Sequence, residues 1–195
     1  MATPIIDQPP IDTAARPRRG EALVVYESMF GNTADVATAI SSGLALEGLM
    51  VTTVEASTAP DLADVDVDLL VLGSPTHAFS LSRPSTRLEA VRQGAPAERA
   101  RVGLREWLRA GTAPAAGTGT LAATFDTRAS KVRFLPKSAA TGSAHLLKRL
   151  GFTLLMSPEG FVVSEVSGPL LPGEADRAAA GGRDLATAYA LQCSR

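Results

Sequence analysis

The chain of 195 residues is large enough to bury one substantial core and too short to expect two domains. With 45% hydrophobic and 20% charged residues and a net charge of −1, its balance points to neither nucleic acid nor an anionic membrane surface, and no apolar run approaches the roughly twenty residues of a membrane helix. Cys193 is the sole cysteine, which excludes an internal disulfide and a cysteine-built zinc or iron–sulfur site and fits a reducing, cytoplasmic setting.

Met1 to Gly20, with Pro4, Pro9, Pro10, Pro17 and a basic end Arg16-Pro17-Arg18-Arg19, reads as a flexible tail (1–20) ahead of a single domain (21–195). Arg18-Arg19 lacks the following apolar stretch and small-residue cleavage site that a twin-arginine export signal requires. The unbroken apolar run Ala22 to Val25 predicts a buried parallel strand. A helix follows from about Thr33 to Glu47, with Val36, Ala37, Ile40, Leu44 and Ala45 on one face, and Gly48 ends it. Between them, Ser28-Met29-Phe30-Gly31-Asn32-Thr33 brings several backbone N–H groups and the positive end of a helix dipole to one point, which suits a phosphate. The same residues serve equally well as a plain helix cap. No Lys follows the Gly, so a nucleoside triphosphate loop is excluded; the phosphate that fits is a terminal monoester held by amides and hydroxyls.

Met50 to Val54 is the next β-rich run, and Pro60 to Asp66 is too short and acidic for more than a helical turn. Leu69 to Leu72 predicts a second buried strand. Gly73-Ser74-Pro75-Thr76-His77-Ala78-Phe79 leaves its C-terminal end, where open parallel sheets bind their ligands. Pro84 opens a helix through Arg92, and Val102, Leu104, Trp107 and Leu108 form a second amphipathic stretch with Trp107 in the core. Gly117-Thr118-Gly119 mimics a dinucleotide fingerprint but precedes a strand, Leu121 to Phe125, instead of following one, and is rejected. Asp126-Thr127-Arg128 then reads as the start of a loop carrying Lys131, Arg133 and Lys137, ahead of a helix with Leu146, Leu147 and Leu150 that Gly151 closes. Phe152 to Met156 predicts the fifth strand, with Phe161 to Val166 continuing it after Ser157–Gly160. Asp176 to Gln192 is the last helix, although Gly181-Gly182 costs about 1 kcal/mol per glycine inside it. Strands alternating with helices in this way predict an α/β chain with a parallel sheet covered on both faces.

Ser28-Met29-Phe30-Gly31-Asn32-Thr33 after a first strand resembles the phosphate loop of flavodoxins, which bind flavin mononucleotide (FMN). The resemblance runs from about Glu21 to the C-terminus, specific in this first loop and looser in the later ones. It implies a flavodoxin-like three-layer sandwich whose five-stranded parallel sheet has the order 2-1-3-4-5. It also implies roles. Ser28, Asn32 and Thr33 would bond phosphate oxygens through side chains, and Met29, Phe30 and Gly31 through N–H groups. Pro75, Thr76, His77, Ala78 and Phe79 would approach the ring, with His77 in the place of a stacking aromatic. Phe125, Asp126, Thr127 and Arg128 would meet its pyrimidine edge. Outside such a motif a lone loop histidine is more often structural, Asp126 is equally a turn cap, and Phe125 is equally plain core.

Two features depart from the electron carriers of that family. They are strongly acidic and dock to basic partners, whereas this chain is nearly neutral. The residue after His77 is Ala78, which resists a peptide flip that glycine eases, since a non-glycine gives up about 1 kcal/mol or more in the left-handed region. A weaker one-electron-reduced flavin is expected. The leading expectation is an FMN-binding electron-transport protein serving a redox partner protein. An FMN-dependent quinone or small-molecule reductase, and a flavin-free binding or regulatory domain, are the alternatives. Arg83, Arg87, Arg128, Lys131, Arg133 and Lys137 should lie on the flavin side, as a solvated rim or as a basic mouth for an acidic partner or anionic substrate.

Overall fold

The computed structural model describes residues 20–111, 120–134 and 137–194. The expected tail, apart from Gly20, and the rejected Gly117–Gly119 motif lie outside them. At the centre, β1 (Glu21–Tyr26) is buried over its apolar run and pairs in parallel with β2 (Met50–Glu55) on one side and β3 (Leu69–Pro75) on the other. Beyond β3 lies β4 (Leu121–Ala129), and its outer edge is shared by β5 (Thr153–Leu154) and β6 (Glu159–Val163). The order is β2-β1-β3-β4-β5 with β6 on β4, every ladder parallel.

The outermost position is a single strand broken in the middle. Thr153 and Leu154 pair with Leu121 and Ala122, then Glu159 to Val163 pair with Phe125 to Ala129. The segment between ends in Pro158, which has no N–H to offer a ladder, and it bulges away before pairing resumes. The continuation expected at Phe161 is therefore present, and it begins two residues earlier. β4 is longer than the expected Leu121–Phe125, because both flanks supply partners for the polar residues beyond. Asp126 lies opposite Ser74 and Gly160, and Thr127 opposite Pro75 and Phe161. Asp126, Thr127 and Arg128 are thus strand, where the sequence reads as loop.

Helices α1 (Asn32–Leu46) and α5 (Glu174–Cys193) cover one face of the sheet, with Val36, Ala37, Ile40, Leu44, Ala178 and Leu185 in the core. The other face is covered by α3 (Leu104–Ala110) and α4 (Ala139–Arg149), through Leu104, Trp107, Leu108 and Leu147. Trp107 is buried as expected, and its indole N–H donates to the Pro60 carbonyl at 2.8 Å, which settles its one polar atom. Of the Gly181-Gly182 pair, Gly182 finds its compensation in close helix contact. Gly182 of α5 faces Gly43 of α1, and a Cβ on either would run into the backbone of the other helix, at the Ile40 or the Ala179 carbonyl. Two helices that approach this far recover in packing what the glycines lose in propensity. Helix α2 (Pro84–Arg92) sits beyond the C-terminal end of β3, its Ala90 packed with Met29 and Ala95.

Candidate cofactor site

Because every strand is parallel, the segments leaving β1, β3 and β4 emerge at one end of the sheet. The first is Glu27 to Gly31. Gly31 takes φ of +100°, which an L side chain rarely adopts, and delivers the chain into α1. The Ser28 hydroxyl is buried and accepts the N–H groups of Gly31 at 3.1 Å and Ala34 at 3.3 Å, so it shapes the loop from inside and retains its own O–H as a donor. Among the described residues, the N–H groups of Phe30, Asn32 and Thr33 have no acceptor. They form an open donor set at the positive end of a 15-residue helix.

The two other side chains expected on a phosphate are tied to the protein. The Thr33 and Thr127 hydroxyls share a hydrogen bond of 2.8 Å, which ties the first loop to the end of β4. Asn32 Nδ2 donates at 3.0 Å to the Ser167 carbonyl, in the segment between β6 and α5. Gly168 lies against that amide so closely that a side chain there would displace it.

The second segment is a tight reversal after β3. His77 and Ser80 exchange backbone hydrogen bonds of 2.9 and 3.1 Å, and the two residues between them, Ala78 and Phe79, both have positive φ, +46° and +63°. These are the torsions of a type I′ turn, which ordinarily selects Asn-Gly. The His77 ring is half-buried, and burial, helped by the Arg87 guanidinium, lowers its pKa below the ordinary 6.5, while the Thr86 backbone acts the other way. His77 is therefore neutral at neutral pH.

The third segment is the end of β4. Asp126 is fully buried and makes a two-pronged ion pair with Arg128, at 2.7 and 2.9 Å, and one of its oxygens accepts the Ala140 N–H at 3.0 Å. Its charge is thus met on both sides, by a guanidinium and by the first turn of α4. Phe125 points to the opposite face, where it meets Phe161 edge-to-face at 6.1 Å between ring centroids.

These segments enclose a cavity of about 340 Å³. Ser28, Met29, Phe30, Asn32 and Thr33, then Pro75 to Phe79, then Thr127 and Arg128 line it. Of the residues expected at the site, Gly31, Phe125 and Asp126 do not reach its wall. Gly31 acts through its torsion, Asp126 through Arg128, and Phe125 is core. The sequence reading misses Thr86, Glu89 and Ala90 on α2, Gln93 at its C-terminal end, and Ala129, Val132, Val163 and Val166. Pro84 signals α2, so its first face was open to inspection. Val166 was not, because it arrives by the long-range pairing of β6.

Beneath the first two segments lies a buried polar cluster. Glu27, 1% exposed, accepts the Leu104 N–H at 2.9 Å through one carboxylate oxygen, while the other has no partner among the described residues. Arg87, equally buried, bonds Ser82 at 2.8 Å, the Ala100 carbonyl at 3.1 Å and Glu106 at 2.9 Å. It thus occupies the core, where the sequence places it on the rim.

These features define an α/β protein with a ligand cavity beyond the C-terminal edge of a parallel sheet. Its fold is flavodoxin-like, a three-layer sandwich of order 2-1-3-4-5 with β6 as a minor extra. No protein-family model and no curated protein sequence matches the chain. Among solved structures, an archaeal flavodoxin is 19% identical with a TM-score of 0.59, covering 87% of this chain and 98% of that one. Oxidised flavodoxin 2 of Bacillus cereus is 18% identical with a TM-score of 0.60, covering 88% and 99%. The flavodiiron core of Flv1 from Synechocystis sp. PCC6803 is 18% identical with a TM-score of 0.62, covering 90% of this chain. The chain spans 37% of that core's length. Among the described residues no helix is long and apolar enough to cross a membrane.

Proposed function

We propose that this chain binds one FMN non-covalently and serves as an electron-transfer protein. The observation that carries the reading is the open set of N–H groups at Phe30, Asn32 and Thr33, residues that line a cavity whose other walls include the two ring-side segments. The residues present fit the cofactor. A terminal phosphate monoester matches uncommitted amides, the Ser28 O–H and a helix N-terminus, with no lysine needed. Thr33, Asn32 and Arg128 act mainly through the partners they hold, fixing the first loop against β4 and the Ser167 segment. His77 and Phe79 border the ring end, His77 as a neutral imidazole that adds no charge beside a reduced ring. When bound, FMN supplies the redox chemistry, and the chain supplies binding, orientation and electrostatics.

The test is a titration of purified protein followed by flavin absorbance and fluorescence, with riboflavin as the control lacking phosphate. FMN is expected to bind at least about tenfold more tightly than riboflavin, the equivalent of about 1.4 kcal/mol. Equal affinities, or none for either, overturn the reading. A second reading, an FMN-dependent quinone or small-molecule reductase, is favoured by the half-exposed Phe79 ring at the cavity, an apolar surface suited to a planar acceptor. Steady oxidation of NADH or NADPH with a quinone acceptor would select it.

A further inference from the structure

The ion pairs of the molecule divide its cations into two sets. Arg87, Arg92, Arg128, Lys131 and Arg177 each have an acidic partner, with Glu106, Glu89, Asp126, Glu165, and Glu159 with Glu174. Among the described residues, Arg101, Arg109, Lys148, Arg149 and Arg183 are exposed without an acidic partner, and so are three more, Arg83, Arg133 and Lys137. All three stand at the cavity's end of the molecule. Arg83 is held against Thr86, which lines the cavity, by a backbone hydrogen bond of 2.9 Å to the Thr86 hydroxyl. Arg133 follows Val132 of the cavity wall. Lys137 lies two residues before Ala139, whose N–H donates at 2.9 Å to the hydroxyl of cavity-lining Thr76. Glu89, which lines the cavity, and Glu165, beside cavity-lining Val166, are already paired with Arg92 and Lys131.

The same rim exposes apolar side chains. Phe79 is 48% exposed, Val166 60% and Phe134 83%, and the Arg133 guanidinium lies 4.4 Å over the Phe134 ring. Exposed aromatics interleaved with unpaired cations around a cavity match a protein surface, because apolar contact and charge complementarity act together there. We infer that the rim formed by Phe79, Arg83, Arg133, Phe134 and Lys137 docks an acidic partner protein. The polarity is the reverse of the acidic carriers that the sequence resembles. A nucleic acid fits less well, since three cations at the rim make no track for a phosphate chain. The inference uses charge and exposure around the cavity and does not depend on flavin, so it can be tested in the flavin-free protein.

The probe is a fluorescein-labelled peptide rich in Glu and Leu, followed by anisotropy with the full-length chain. A Lys-Leu peptide and a single-stranded oligouridylate serve as controls. The Glu-Leu peptide is expected to bind at low salt and to weaken about tenfold when ionic strength rises well past the point where the Debye length falls to about 10 Å. Charge reversal at Arg83→Glu, Arg133→Glu and Lys137→Glu should abolish binding, while far-UV circular dichroism and FMN affinity stay unchanged. Phe134→Ser alone should weaken the peptide severalfold, a loss that simple ion exchange would not produce. Undiminished binding by the triple variant overturns the inference, as does oligouridylate binding as tightly as the peptide. Indifference to Phe134→Ser overturns it too, since the rim would then attract anions without docking a protein.

Discussion

Two turns frame the cavity, and both place residues at positive φ beside it, with opposite choices of side chain. The first uses Gly31, at +100°, where no side chain resists. The second uses Ala78 and Phe79, at +46° and +63°, each of which gives up about 1 kcal/mol or more to stay left-handed. The first is locked by the Ser28 hydroxyl, by Thr127 and by Ser167; the second is closed by two backbone hydrogen bonds between His77 and Ser80. Strain that persists beside a cavity is a mark of a functional position, because the surrounding structure must override it. Phe79 cannot be glycine and still present a ring at the rim. The expectation that Ala78 would resist the left-handed region thus meets a turn that already occupies it.

The largest expected effect falls on the locked turn. Replacing Asn32 and Thr33 together by alanine removes the ties to Ser167 and Thr127 at 3.0 and 2.8 Å. Two lost hydrogen bonds at about 1 kcal/mol each predict FMN affinity reduced by roughly 10- to 100-fold, measured by flavin fluorescence titration. Unchanged affinity would show that these side chains position nothing. Next comes Gly31→Ala, which forces a Cβ into φ of +100°. About 1–2 kcal/mol of stability should be lost in a urea titration, although nothing lies within 4 Å to clash with the new methyl. The strained turn responds in the opposite direction. Ala78→Gly should raise stability by up to about 1 kcal/mol, reduced by the extra entropy glycine brings to the unfolded chain. A loss of stability there would mean that the turn is not strained in solution.

The two turns also differ in how far they could be read in advance. The first was legible because its signals are local: an apolar run, a Gly, two capping residues and a helical period. Its position in the sheet order is what the resemblance carried by those residues implies. The third segment reads as loop in the sequence because Asp126 and Arg128 are charged, and charge in a strand normally signals an exit from the core. Their mutual pairing and the Ala140 N–H remove that objection, but only across distances the sequence does not display. Arg87 likewise reads as a rim residue, since nothing local announces that Ser82, Ala100 and Glu106 will converge on it. Ser167, 135 residues from Asn32, could not be matched to it without the pairing of β6 on β4.

The smallest effect lies under both turns, where Glu27 begins the first and Arg87 stands beside the His77 ring of the second. Burial raises the Glu27 pKa above the ordinary 4.5, outweighing Ser82, the Leu104 N–H and Arg87, which all favour the carboxylate. A raised folded-state pKa means that folding retains a proton the unfolded chain gives up. The resulting stabilisation is complete below about pH 4.5 and is lost as pH rises through the raised value. Glu27→Gln keeps the shape and removes the titration. Relative to that variant, the wild type should therefore lose stability as pH rises above 4.5. Urea midpoints of both proteins across that range decide the matter. A constant difference between them would mean that Glu27 keeps its charge in the core and that Arg87 offsets the burial, in which case the link beneath the two turns is a fixed ion cluster and not a proton site.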